Sequence, residues 1–133
     1  MILSAKSTYA LKATLELSKH WPNTTPLPIA DIAKRQGIPL TFLTQILLVL
    51  KQHGLVESIR GKHGGYVLRQ KPNKITLAHI LGIYVSFEVK GRSIFHRIAN
   101  DVGQETLARL KQVNFEDIIK QERDINKIAL YTI

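Results

Sequence analysis

The 133-residue chain carries 19 Lys and Arg against 10 Asp and Glu, a formal charge of +9, with 44% apolar residues and no cysteine. That apolar content supports a packed core in one compact domain with an added helical element, and the excess charge points to a polyanionic partner. The absence of thiols excludes disulfides, thiolate zinc sites, cysteine-ligated iron–sulfur clusters and cysteine nucleophiles.

In chain order, Ala5 to about His20 reads as a helix: Ser4 can cap it, and Tyr9, Ala10, Ala13 and Leu17 recur at helical spacing. WPNTTPLP breaks it with three prolines. Ile29 to Gln36 predicts a short second helix, with Pro28 at its start and Gly37 at its end. After the tight GIP connection, a third helix runs from about Leu40 to His53 and stops at Gly54. Its core stripe is Leu43, Ile46, Leu47 and Leu50, which leaves Thr41, Thr44, Gln45 and Leu48 nearer the opposite side. LVESI and YVLRQ, separated by RGKHGG, predict a β-hairpin. Ile75 to about Tyr84 predicts a fourth helix with Thr76 as cap, and SFEVKGRS reads as a linker.

From Ile94 to Val113 a long amphipathic helix is expected. Its apolar stripe is Ile94, Ile98, Val102, Leu107, Leu110 and Val113, and a second copy of the chain is the economical way to bury it. A short helix start, NFEDII, and a tail ending KIALYTI follow. The expected fold is mainly α with a small β-hairpin. Residues 1–82 form a winged helix-turn-helix domain, 83–93 a linker, and 94–133 a dimerisation helix with its C-terminal tail.

Charge is distributed unevenly over this plan. Residues 1–80 hold eleven cations and three anions, residues 81–133 eight and seven, so the first part is expected to meet the polyanion. Around the hairpin tip, Gly61, Gly64 and Gly65 permit unusual backbone geometry and close approach. Arg60 and Lys62 place cations where phosphates or a minor groove would be met, and His63 can add a hydrogen bond. At the start of the third helix, Gln45 can pair with adenine, while Thr41 and Thr44 can reach a phosphate or a thymine methyl. Phe42 is open between a DNA contact and a core aromatic. Ser4 and Lys6 are open between gripping a phosphate and simple helix capping.

Enzyme readings find no support. The five histidines, at 20, 53, 63, 79 and 96, form no HExxH, no G-x-S-x-G elbow is present, and RGKHGG lies between strands rather than entering a helix. His79 and His96 with nearby acids are candidate metal ligands, with scattered solvated side chains the favoured alternative. No segment reaches the roughly 18 apolar residues of a membrane span, and the N-terminal stretch lacks the apolar run of a secretion signal. A soluble cytoplasmic protein with no membrane contact is expected.

The ordered series STYALKATLEL, LPIADIAKRQGIPLTFLTQIL, LKQHGLVESIRGKHGGYVL and ITLAHIL resembles the bacterial Rrf2 family of winged-helix transcription regulators. GLVESIRGKHGGY is the most specific part. The resemblance covers about residues 1–82 closely and the later helix loosely. It implies a homodimer crossed through the long C-terminal helix and reading a palindromic promoter site. Thr41, Phe42 and Gln45 fall on the family's recognition-helix contacts, and Arg60 and Gly61 on its wing contacts. Thr44 departs from the Glu that many members carry, which implies an altered preferred site.

Cluster-binding members hold three cysteines between the fourth helix and the dimerisation helix, where this chain reads IYVSFEVKGRS. No iron–sulfur cofactor is therefore expected. The tail is similar to that of the family's cluster-free cysteine-metabolism repressor, which implies regulation by a small molecule, a partner protein or expression level. The expected function is a homodimeric, sequence-specific repressor on double-stranded DNA. The alternatives are a winged-helix adaptor for proteins and a non-specific architectural nucleic-acid binder.

Overall fold

A computed structural model describes residues 3–22 and 25–131. Asn23 and Thr24 of the proline-rich break, and the closing Thr132 and Ile133 of the tail, lie outside the described residues. Helix α1 (Ala5–Lys19) is capped by Ser4, whose hydroxyl accepts the Ser7 N–H, and α2 (Ile29–Gln36) ends at Gly37. α3 (Leu40–Gln52) follows directly after Pro39. Its Leu43, Ile46, Leu47 and Leu50 are all buried with Ile32 of α2, so the expected stripe forms the helix-turn-helix core.

The hairpin pairs β1 (Val56–Ile59) with β2 (Gly65–Leu68), in antiparallel register from Val56 opposite Leu68 to Ile59 opposite Gly65. Gly65 therefore belongs to the strand rather than to the loop, and the strand ends at Leu68, with one further bond from the Arg69 N–H to the Leu55 carbonyl at 2.9 Å. Tyr66 is also paired on its other side: its N–H and carbonyl exchange 2.9 Å hydrogen bonds with Leu27. The segment before α2 thus acts as a one-residue third strand.

After a 3₁₀ turn at Pro72–Lys74, α4 (Leu77–Tyr84) begins in a reciprocal cap. The Thr76 hydroxyl accepts the His79 N–H, and the His79 ring accepts the Thr76 N–H. Residues 85–93 contain no helix or strand. Asn100 of α5 (Ile94–Leu110) holds that segment by the Val89 peptide, accepting its N–H at 2.6 Å and donating to its carbonyl at 2.9 Å. The Phe87 carbonyl occupies the space a Cβ on Gly103 would need.

The segment expected to be a helix start and a tail is one 17-residue helix, α6 (Phe115–Tyr131). The Asn114 side chain accepts the Asp117 N–H at its start, and Glu116 and Asp117 suit the positive end of the helix dipole. Two backbone bonds, Leu77 N–H to Val113 and Phe115 N–H to Ile75, join this start to that of α4. Phe115, 1% exposed, enters the main core, and α6 lies against α1 and the 3₁₀ turn.

Phe115 is the largest side chain that α6 gives to that core. Phe115→Ala is expected to lower stability by about 3–5 kcal/mol, a cavity-sized loss. Urea unfolding followed by circular dichroism should keep a single transition with a lower midpoint.

Candidate nucleic-acid interface

α3 presents a continuous outer surface. Thr41, Thr44, Gln45 and Leu48 are exposed, opposite the buried stripe. No side chain caps α3, so its first-turn N–H groups are left for solvent or an anion. Thr44 donates its hydroxyl proton to the Leu40 carbonyl at 2.9 Å, which leaves oxygen lone pairs outward. Phe42 is 41% exposed rather than a core aromatic, and its ring leans on Tyr9 with centroids 5.9 Å apart.

Lys6, Phe42 and Gln45 meet around a small depression of about 80 Å³, floored by Ile46, Val49 and Tyr84. The Tyr84 hydroxyl is buried there with no hydrogen-bond partner among the described residues, and burial raises the phenol above its ordinary pKa. Ser4 spends its hydroxyl within the first turn of α1. It accepts the Ser7 N–H and donates to the Ser7 hydroxyl, whereas Lys6 stays exposed. Ser4 thus caps α1, and Lys6 is an exposed cation in its first turn.

At the wing, Arg60, Gly61, Lys62 and His63 are exposed, and no described carboxylate pairs with Arg60 or Lys62. Gly61 has φ of 119°, a conformation that side chains resist, and its carbonyl accepts the Gly64 N–H at 3.0 Å to close the turn. Gly65 has a different reason to lack a side chain, because a Cβ there would overlap the Leu27 backbone. Behind the tip, Arg69 faces Glu57 across the strands at 3.9 Å, and Lys51 of α3 donates to Ser58 at 2.9 Å. The cations at the tip are therefore free, while those at the base brace the hairpin.

The expected dimer stripe divides in two. Ile94, Ile98 and Val102 are 59%, 51% and 55% exposed, and Phe95, absent from the sequence reading, is 77% exposed. Leu110 is instead buried against Ala78 and Leu81, with Leu107 packed on the same cluster. Val113, half-buried, gives its carbonyl to Leu77. The C-terminal half of the stripe is covered within the chain because α4 lies beside it. Phe95 lies three residues before Ile98 and seven before Val102, so it shares their face of α5.

Three comparisons bear on this geometry. Residues 3–85 match the Rrf2 family model, described as an iron-dependent transcriptional regulator. The HTH-type transcriptional regulator IscR of Xenorhabdus nematophila is 30% identical over 92% of this chain and 81% of its own length. Among solved structures, T. potens IscR superposes with a TM-score of 0.80 at 28% identity, covering 92% of this chain and 88% of that one. CymR, the global cysteine regulator of B. subtilis, superposes at 0.79 with 25% identity over 91% and 98%.

The donors present do not fit the iron named in that family description. The sequence has no cysteine, and no group of three or more His, Asp or Glu converges among the described residues. His79 and His96 each engage Nδ1 in a helix cap, with the Thr76 N–H and the Ser93 hydroxyl respectively.

Two glycine substitutions separate hairpin geometry from general helix propensity. Gly65→Ala must displace the Leu27 backbone and should cost about 1–3 kcal/mol. Gly82→Ala, in α4 with open space around it, should stabilise by about 0.5–1 kcal/mol. Urea midpoints of the two variants, shifted in opposite directions, are the check.

Proposed function

The chain belongs to the Rrf2 family of transcriptional regulators, and we propose that it is a sequence-specific repressor that binds a palindromic site on double-stranded DNA as a homodimer. The observation that carries this reading is the pairing of exposed Thr41, Thr44 and Gln45 on α3 with tip cations of the adjacent hairpin that no described carboxylate pairs. A helix bearing Thr41, Thr44 and Gln45 suits the major groove, where Gln can pair with adenine through two hydrogen bonds. Arg60 and Lys62 suit the flanking backbone or minor groove, and Lys6 a phosphate beside α1. Phosphate contacts set register and affinity; base contacts from α3 set sequence.

Exposed Ile94, Phe95, Ile98 and Val102 form the dimer surface in this reading. Two copies joined there present two recognition helices, which on DNA requires half-sites about one helical turn, roughly 34 Å, apart. The regulator works without an iron–sulfur cluster, a reading supported by the missing thiols. The family is not an enzymatic one, and no helix among the described residues is long and apolar enough to cross a membrane.

Selection of bound fragments from sheared genomic DNA at near-physiological salt tests the reading, with wild type and Arg60→Ala in parallel. Enrichment of one palindrome is expected. Arg60→Ala should weaken binding to all sequences and reduce the logarithmic salt slope by about 1 per DNA-bound subunit. Gln45→Ala should cost about 1–3 kcal/mol on the selected site and little on random DNA. Uniform recovery of fragments would instead indicate an architectural binder, and no recovery from an intact dimer would indicate the adaptor.

The dimer surface has its own check. Ile98→Asp places a charge in the apolar patch and should yield a folded monomer by sedimentation equilibrium, with specific DNA affinity lowered at least about tenfold as the second half-site is lost.

A further inference from the structure

A cleft of about 460 Å³ opens between the C-terminal end of α1, the 3₁₀ turn and α6. That is the size of a small-molecule site. The face of Trp21, 37% exposed, together with Pro72 and Ile119, supplies an apolar wall. Lys19, Lys71, Lys120 and Arg123 also line the cleft.

Only half of that charge is answered. Lys19 pairs with Glu122 at 2.6 Å and Lys120 with Glu116 at 3.8 Å, whereas no described carboxylate lies within pairing distance of Lys71 or Arg123. Lys71 and Arg123, both exposed, thus line the same cleft as Trp21 without a described carboxylate partner, while the Glu116 that also lines it pairs with Lys120. An anion entering the cleft meets both cations, and the Arg fork is shaped for the paired oxygens of a carboxylate or phosphate. Indole and the apolar wall suit a flat body carrying that group.

We propose that this cleft binds a small organic anion, a carboxylate or phosphate carried on a planar apolar body. Arg123 and Lys71 hold the anionic group and Trp21 stacks on the body. Lys6 lies in the first turn of α1 and Lys19 in its last, and a 15-residue helix is about 22 Å long. A molecule in the cleft therefore leaves the α3 and wing surface open. Its neighbours are α1 and α6, so occupancy bears on how α6 seats against α1. The binding does not depend on the DNA reading and is measured without DNA.

Trp21 is the only tryptophan of the chain, so its fluorescence reports on the cleft directly. The full-length protein would be titrated with phenyl phosphate and with benzoate, using benzyl alcohol and inorganic phosphate as the neutral and bodiless controls. Excitation at the red edge of indole absorption avoids the probes, and titration calorimetry runs in parallel.

At least one aromatic anion is expected to give a saturable signal, at least about tenfold tighter than either control. Arg123→Gln and Lys71→Gln should each weaken it about tenfold or more, as loss of a charge-assisted bond does. Lys111→Gln, on the C-cap of α5, should leave it unchanged. Whichever of the two probes binds tighter names the anionic group. No saturable response in either method would overturn the proposal, as would Arg123→Gln and Lys71→Gln variants that bind as tightly as wild type. Inorganic phosphate binding as tightly as phenyl phosphate would overturn the planar body.

Discussion

Close packing against α1 is the constraint on which the rest of the molecule depends. α2, α3, α4, α6 and β2 all lie against this one helix. They can do so because most of its inward positions are small: Ser7, Ala10, Ala13, Thr14 and Ser18 are buried alongside the larger Glu16 and Leu17. The three hydroxyls that this places in the interior are satisfied locally, Ser7 donating to the Ser4 carbonyl at 3.0 Å, Thr14 to the Ala10 carbonyl at 2.8 Å and Ser18 to the Thr14 carbonyl at 2.7 Å. Buried Glu16 accepts from Gln36 at 3.1 Å and has His20 and Arg35 within 3.3 and 3.7 Å, which ties α1 to α2 by charge as well as packing. An unpaired carboxylate in that position would be costly, so the cluster holds its members together.

This arrangement gives α1 two distinct ends. At its N-terminal end, Lys6 meets Phe42 and Gln45 of α3 around one depression. At the other, Lys19 and the following Trp21 border the cationic cleft beside α6. The exposed apolar face of α5 is a third surface, and the segment leading into it is held by Asn100 and closed over Gly103. The excess positive charge thus has more than one destination. The wing uses some of it, and the pair Lys71 and Arg123 stands apart from any surface the family resemblance anticipates.

Most of the winged-helix portion was legible because its signals are local. Ser4, Gly37, Pro39, Gly54 and Thr76 mark helix ends through capping and backbone preference, and the Leu43–Leu50 stripe reports its own burial. α6 was read short because charged Glu122 and Arg123 interrupt its apolar run after Ile119, although Asn114 three residues before Asp117 was a usable start signal. The cleft left no linear trace at all. Its cations come from positions 19, 71, 120 and 123, which only the return of α6 to α1 assembles.

Spacing and residue type alone determined the helix order, the hairpin, the charged glycine-rich tip and the absence of thiol chemistry, since each depends on neighbours within a few residues or on composition. Tertiary structure decided what those residues spend their groups on. It committed Ser4 to a cap, set Gly65 against the Leu27 backbone, and drew Leu107 and Leu110 under α4 while leaving Ile94, Phe95, Ile98 and Val102 bare. Periodicity states which side chains share a helix face. Whether that face is already covered depends on distant segments packing against it, and no local pattern encodes that.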